Sequence, residues 1–171
     1  MKELILGGAR SGKSRLAESR ALQSPKKCIY IATGTAEDEE MERRIAAHKK
    51  RRGEHWHLIE EPLRLADVLR ETDDSNSAIV VDCLTLWLSN CLHHGDFERE
   101  KTQLIDTIPS MRGDIFMVSN ETGSGIVPLG KLSRQFVDYS GWLHQELAQI
   151  CDRVTLVVAG LPLSLKEEHA A

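Results

Sequence analysis

The stretch Gly7-Gly8-Ala9-Arg10-Ser11-Gly12-Lys13-Ser14 decides the fold of this chain. It matches the pattern G-x-x-x-x-G-K-[ST] at every fixed position, between an apolar run suited to a buried strand and a segment typical of a helix. Glycines let successive N–H groups point into one concavity, and a helix N-terminus adds positive potential for phosphate. We expect Lys13 to reach the β- and γ-phosphates of a nucleoside triphosphate and the Ser14 hydroxyl to bind Mg²⁺. The alternative is an ordinary glycine-rich turn, which does not need the complete pattern.

Composition limits the classes of protein that fit. The 171 residues, 41% of them hydrophobic, predict a single domain over residues 1–171. The formal net charge of −4 gives no field that attracts nucleic acid or an anionic membrane, and no apolar run suggests a signal peptide or membrane insertion. The four cysteines form no CxxC pair, which predicts buried thiols in a reducing cytoplasm, without disulfides or structural zinc.

Apolar runs alternate with helical patterns along the chain, which predicts an α/β fold with a mostly parallel central sheet flanked by helices. We expect strands over residues 2–6, 28–32, 56–62, 78–81, 115–118 and 154–158. We expect helices over residues 13–23, 37–52, 63–71, 84–92, 98–108 and 131–150. Residues 160–165 are expected to add an edge strand, and residues 166–171 to be frayed.

Asp82 is the second candidate site residue, because it follows four apolar residues at the end of a predicted strand. Downstream of a phosphate loop, such an acid holds Mg²⁺ through water beside the loop serine. Taken alone, an Asp at this place is more often the N-cap of the next helix. The phosphate loop upstream favours the metal role.

His48 lies between Arg44 and Arg52 on the predicted helix over residues 37–52, and it has two interpretations. It can be a solvated surface group, as most charged-helix histidines are. Alternatively, the neighbouring cations lower the pKa of the imidazole and keep it neutral and nucleophilic, and the same cations hold a triphosphate whose α-phosphorus it attacks. The sequence alone leaves both open.

Glu60 is equally ambiguous, since it can accept hydrogen bonds from a ribose or a purine or be a surface charge. His55, His57, His93 and His94 show no metal-ligand pattern. Surface or helix-end roles are expected for them.

Taken together, these motifs resemble the bifunctional adenosylcobinamide kinase/adenosylcobinamide-phosphate guanylyltransferases of cobalamin biosynthesis. The helix with His48 and the loop over residues 120–128 are more specific than the phosphate loop. The likeness runs nearly end to end, through residues 7–15, 30–33, 38–48, 56–62, 81–85, 119–128 and 157–162.

The resemblance implies a RecA-like P-loop NTPase domain assembled as a homotrimer, with GTP, ATP and Mg²⁺ as cofactors and adenosylcobinamide as corrinoid substrate. It implies a kinase step and a transfer of GMP carried on His48, with Lys13 also catalytic and Ser14 and Asp82 at the metal. The implied nucleotide contacts are residues 7–14, Thr33, Gly34, Thr35, Lys49, Lys50, Arg51, Arg52, Glu60 and Asp82.

The sequence departs from the pattern of this family at two places. Gly53 stands where relatives commonly have Pro, and Trp142-Leu143-His144-Gln145 lacks the Asn expected before the Gln, but neither touches the phosphate loop or His48.

Two alternative functions also use the phosphate loop. A monofunctional small-molecule kinase would need the loop and Asp82 but not His48. A GTPase switch or a RecA-like DNA-binding ATPase would also use the loop, although the NKxD guanine signature is absent and the net charge is negative.

Overall fold

Seven strands and five α-helices lie along residues 1–34 and 55–167, the parts of the chain that the computed structural model describes. The strands are β1 Lys2–Gly7, β2 Lys27–Ala32, β3 Trp56–Glu60, β4 Ser77–Asp82, β5 Asp114–Asn120, β6 Arg153–Val158 and β7 Leu161–Lys166. The helices are α1 Lys13–Ala21, α2 Leu65–Thr72, α3 Leu84–His94, α4 Phe97–Thr107 and α5 Lys131–Ile150. The predicted helix over residues 37–52 lies outside these ranges. None of the helices within them is long and apolar enough to cross a bilayer.

The strands form one sheet in the order β3-β2-β4-β5-β1-β6-β7, in which β7 is antiparallel to β6 and the other pairs are parallel. Parallel strands end at a common edge, where ligands of open α/β sheets bind. The end of β1, which opens the phosphate loop, therefore lies at the same edge as Asp82 on β4. The end of β5 lies between them, because β5 pairs with both strands.

Helices bury both faces of the sheet. On one face, α2, α3, α4 and α5 pack on strand residues that include Leu4 and Val81. On the other face, α1 packs through its alanines on residues that include Ile5 and Val80. Burial on both faces explains why the strands read as continuous apolar runs rather than as alternating patterns. The predicted fold class is confirmed.

The predicted elements within the described ranges are present, and the differences lie at their ends. The helix over residues 131–150 is confirmed to the residue. α1 ends at Ala21 rather than residue 23, ahead of Pro25, which cannot continue a helix. α2 begins at Leu65 rather than residue 63. The Glu61 carboxylate accepts hydrogen bonds from the N–H groups of Leu63 and Arg64, which holds a turn just before the helix.

The expectation of a frayed tail from residue 166 is wrong for Lys166, which is the last residue of β7. Its ammonium donates hydrogen bonds to the carbonyls of Ala148, Gln149 and Cys151 at distances of 2.9, 3.1 and 2.6 Å. These groups lie at the C-terminus of α5, where carbonyls lack helical partners and attract a cation. The lysine thereby ties the edge strand to the helix.

Candidate active site

The phosphate loop, residues 7–14, runs from the end of β1 into α1. Within the loop, the Gly8 carbonyl accepts hydrogen bonds from the Ser11 N–H at 3.3 Å and from Lys13 Nζ at 2.9 Å. Within the described residues, the N–H groups of Gly12, Lys13 and Ser14 have no hydrogen-bond acceptor. Three unsatisfied donors at a helix N-terminus form a binding site for an anion.

Two glycines of the loop are required by its conformation. Gly12 has φ +100°, a left-handed conformation that favours glycine, and it is the N-cap of α1 without a side-chain cap. At Gly7, an added Cβ would lie 2.5 Å from the Val157 carbonyl oxygen and 2.6 Å from Ser11 Oγ. Gly7 therefore allows a close approach of the backbone, and Gly12 allows the left-handed turn into α1.

Lys13 places a cation inside the loop. The residue is only 8% exposed, and burial lowers the pKa of its ammonium while the nearby Asp82 carboxylate raises it. A buried ammonium that rests on a single carbonyl is incompletely compensated. A phosphate supplies the missing charge, so the loop fits a nucleoside triphosphate.

Asp82 ends β4, and its Oδ2 accepts a 2.5 Å hydrogen bond from the phenol of Tyr30. The N-cap alternative is not observed, because Cys83 is the N-cap of α3 and makes no side-chain cap. The Asp82 carboxylate and the half-buried Ser14 hydroxyl are hard oxygen donors of the kind that Mg²⁺ prefers. Across residues 1–34 and 55–167, no cluster of three or more His, Cys, Asp or Glu side chains forms a metal cage. This donor set fits a Mg²⁺ that takes most of its ligands from phosphates and water.

Thr33 is buried at the end of β2, where all its polar groups are already used. Its hydroxyl donates to the Cys83 carbonyl at 2.7 Å and accepts from the Cys83 N–H at 2.9 Å. Its carbonyl accepts from Asn90 Nδ2 at 2.9 Å, and its N–H donates to the Asp82 carbonyl. Thr33 thus joins the ends of β2 and β4, and its direct contact with nucleotide stays a prediction.

Gly34 and Glu60 lie at the same edge. An added Cβ at Gly34 would come within 3.0 Å of Leu86 on α3, so a side chain there would press on that helix. Glu60 is exposed at the end of β3, in register with Ala32. This position puts Glu60 at the edge where the other parallel strands end. His55, His57, His93 and His94 are all exposed, as expected.

Several predicted site residues lie outside the described residues. They are Thr35, His48, Lys49, Lys50, Arg51 and Arg52. The described part of the site is therefore the phosphate loop with the ends of β2, β3, β4 and β5.

The sequence reading missed a buried polar network at the end of β5. Ser119 Oγ, which is 1% exposed, lies 2.8 Å from His144 Nε2 and 3.3 Å from Thr85 Oγ1. Thr85 Oγ1 also accepts the Asn120 N–H at 2.7 Å. Burial lowers the pKa of His144 to about 4, although Glu121 nearby raises it. The neutral imidazole thus joins α5 to the strand between the phosphate loop and Asp82.

The only advance signal for this network was that the sequence around His144 departed from the expected pattern. No spacing rule brings residues 85, 119 and 144 together, because three separate elements carry them.

Solved structures with the same architecture include RecA-like proteins. The RadB recombinase aligns with a TM-score of 0.51 over 91% of this chain and 73% of its own, at 18% identity. A protein of Pyrococcus horikoshii OT3, described as a structural study of PH0250, aligns with a TM-score of 0.59 over 99% of this chain and 87% of its own, at 8% identity. At these identities the likeness shows the fold alone, which is RecA-like with a phosphate loop.

Sequence comparison is more specific. The chain is 54% identical to the bifunctional adenosylcobalamin biosynthesis protein CobP of Pseudomonas aeruginosa, over 98% of this chain and 99% of that protein. It is 34% identical to the bifunctional adenosylcobalamin biosynthesis protein CobU of Escherichia coli K12, over 97% and 100%. The model of the cobinamide kinase / cobinamide phosphate guanyltransferase family matches residues 3–165. With a phosphate loop, a buried lysine and a strand-end aspartate in place, the chain belongs to the cobinamide kinase / cobinamide phosphate guanyltransferase family, a family of transferases in cobalamin biosynthesis.

Proposed function

We propose that the chain phosphorylates adenosylcobinamide with ATP or GTP, and then transfers GMP from GTP to the new phosphate to give adenosylcobinamide-GDP. The observation that carries this proposal is the buried Lys13 ammonium beside three backbone N–H groups that have no acceptor within the described residues. Both reactions consume a triphosphate, and both need its negative charge to be neutralised. Family membership supports the choice of a corrinoid as acceptor.

In the kinase step, the aminopropanol hydroxyl oxygen attacks the γ-phosphorus, the bond from the γ-phosphorus to the β,γ-bridging oxygen breaks, and the hydroxyl proton is released. Lys13 and the loop N–H groups stabilise the negative charge that gathers on the phosphates. Ser14 and Asp82 would hold Mg²⁺, which would supply Lewis-acid stabilisation of the same charge.

In the transfer step, an imidazole nitrogen of His48 attacks the α-phosphorus of GTP, and pyrophosphate leaves. A phosphate oxygen of adenosylcobinamide phosphate then attacks the phosphorus of the phosphoramidate, and the P–N bond breaks to free His48. The basic run Lys49, Lys50, Arg51 and Arg52 holds phosphate oxygens, and Glu60 accepts hydrogen bonds from the nucleoside.

The covalent route is tested with α-labelled GTP. We expect the native chain to acquire a label that is stable to alkali and labile to acid, as a phosphoramidate is. His48→Ala should acquire none but should still phosphorylate adenosylcobinamide, because the kinase step does not use the imidazole. Lys13→Ala should lose both activities by about 10²-fold or more, since it removes the buried cation.

His57→Ala, which removes an exposed histidine from β3, is the matched control and should label normally. Full labelling of His48→Ala, or no labelling of the native chain, would refute the covalent intermediate. A chain that phosphorylates adenosylcobinamide but never labels would instead be the monofunctional kinase.

We also propose that the chain forms a homotrimer. Its support is the edge strand β7, where Leu161, Leu163 and Leu165 are 72%, 56% and 56% exposed, next to Val158 at 58%. Monomeric proteins usually cover or charge such an apolar edge. Light scattering should give three times the chain mass of 19.2 kDa. A mass of one chain at all concentrations would contradict the proposal.

A cytoplasmic location is proposed on the four thiols. Cys28, Cys83, Cys91 and Cys151 are all free, and free thiols are typical of proteins in reducing compartments. Fractionation of the producing cells would test it.

A further inference from the structure

The turn between β6 and β7, residues Ala159 and Gly160, lies against the phosphate loop. The Gly160 N–H donates a 2.8 Å hydrogen bond to the Ser11 carbonyl. An added Cβ at Gly12 would lie 3.4 Å from Gly160 Cα, so a side chain there would press on the turn. The last residues of β6 take part as well, since the Val157 carbonyl excludes any side chain at Gly7. We infer that Gly160 is a positioning residue, whose N–H orients the phosphate loop for the triphosphate.

The orientation follows from peptide geometry. In a trans peptide unit, the carbonyl and the next N–H point in opposite directions within one plane. The Ser11 carbonyl and the Gly12 N–H belong to the same unit, so a carbonyl held toward Gly160 makes the Gly12 N–H point away from the turn. The Gly12 N–H is one of the loop donors without an acceptor in the described parts of the chain. Gly160 therefore fixes the direction of a phosphate-binding donor without touching the ligand.

The turn is built to present this N–H. Gly160 has φ +81° and Ala159 has φ +51°, so both residues adopt left-handed conformations. Two consecutive residues of this kind make a tight connection between antiparallel strands. Alanine is uncommon in this region, and its presence there indicates that the surrounding contacts hold the turn. The role of Gly160 goes beyond the closing of a hairpin, because its N–H donates a hydrogen bond to the phosphate loop.

The inference rests on the proposed binding of triphosphate at residues 7–14. Its main test removes only the N–H. Cys151 allows ligation of a recombinant thioester of residues 1–150 to a synthetic peptide of residues 151–171, in which glycolic acid replaces Gly160. The resulting ester keeps the chain length and the φ freedom but lacks the donor. We expect the affinity for GTP to fall about fivefold relative to the all-amide ligated protein, as the loss of one neutral hydrogen bond implies. The affinity for guanosine, which has no phosphate, should not change.

A recombinant pair gives the same answer without ligation. Gly160→Ala and Gly95→Ala introduce a side chain at φ +81° and +75°, and neither added Cβ meets an atom within 4 Å. Both variants carry the same backbone strain, but Gly95 ends α3 and makes its hydrogen bonds to that helix. We expect melting temperatures lowered by a similar few degrees. Only Gly160→Ala should weaken GTP binding.

The outcomes separate the two proposals. An ester variant that binds GTP as tightly as the all-amide protein, or equal GTP affinities for Gly160→Ala and Gly95→Ala, would overturn the role of Gly160 and leave the proposed function intact. Loss of guanosine binding together with GTP binding would also overturn it, because a merely structural change acts on both. A native chain that binds no triphosphate would refute the proposed function itself.

Discussion

Tyr30 and Asp82 are joined by a 2.5 Å hydrogen bond from the phenol to carboxylate Oδ2. The two residues lie on adjacent parallel strands, where Ala32 is in register with Asp82 and Tyr30 with Val80. They are thus diagonal neighbours on one face of the sheet, a separation that a long aromatic side chain spans. The bond fixes one carboxylate oxygen of a residue that lies at the same sheet edge as the phosphate loop.

We expect Tyr30→Phe to weaken Mg²⁺ binding in the nucleotide complex. Without the phenol, the carboxylate is free to rotate, and the concentration of Mg²⁺ for half-maximal activity should rise roughly 3- to 10-fold, which corresponds to about 1 kcal/mol. Titration of Mg²⁺ at saturating GTP measures the shift. Tyr139→Phe, which removes a hydroxyl from the aromatic cluster on α5, is the control and should leave the titration unchanged. An unchanged titration for Tyr30→Phe would exclude an orienting role.

The Tyr30–Asp82 pair shows which features of the site the sequence predicts and which it does not. Asp82 was predictable because an acid after an apolar strand has a known role beside a phosphate loop. Its partner was not, because the pairing depends on the strand register of β2 and β4, which periodicity does not give. The contact between Gly160 and Ser11 was not predictable either, because the two residues are distant in sequence.

Local rules were sufficient elsewhere. The phosphate loop and the helix over residues 131–150 follow from spacing and composition over short windows, and both agree with the structure. Thr33 lay in a segment predicted to bind nucleotide, but the structure commits its hydroxyl to the Cys83 backbone. A sequence motif marks a place in the fold, and it does not distinguish a residue that contacts a ligand from one that holds the strands together.

Glu3 is fully buried on β1, and it is expected to be important for stability. Its Oε1 accepts a 2.6 Å hydrogen bond from Thr155 and forms an ion pair with Arg20 on α1. Glu3→Gln leaves the guanidinium without its counter-charge, and the free energy of unfolding should fall by about 2–4 kcal/mol. Urea denaturation measures the loss.

Asp96→Asn provides the comparison for Glu3→Gln, since Asp96 pairs with Arg99 on the surface at 3.2 Å. An exposed pair of this kind contributes less than about 1 kcal/mol. The double variant Glu3→Leu with Arg20→Met should recover most of the stability that Glu3→Gln loses, because neither charge is then left buried and alone. Equal costs for Glu3→Gln and Asp96→Asn would contradict this account.

The cysteines are expected to be unreactive in the native state. Burial raises the pKa of Cys83 to about 11 and that of Cys91 and Cys151 to about 12, and it also raises the pKa of Cys28. Only the thiolate reacts with iodoacetamide, so alkylation at pH 8 should be roughly 10²-fold slower in buffer than in urea. Mass spectrometry should show four modified thiols in urea. Rapid modification of Cys83 in buffer would show that the end of β4 opens.

His144 should make stability depend on pH. Its pKa is lowered from 6.5 to about 4 by burial, so the folded chain binds fewer protons than the unfolded chain between these values. Stability from this group is complete above about pH 6.5 and is lost as the pH falls toward 4, by roughly 2–3 kcal/mol. His144→Asn keeps a polar partner for Ser119 but cannot titrate, and it should flatten this part of the profile. His94→Asn, which removes an exposed histidine, should leave the profile unchanged. Urea denaturation between pH 4 and 7.5 measures all three chains, and a profile for His144→Asn as steep as that of the native chain would assign the dependence to other groups.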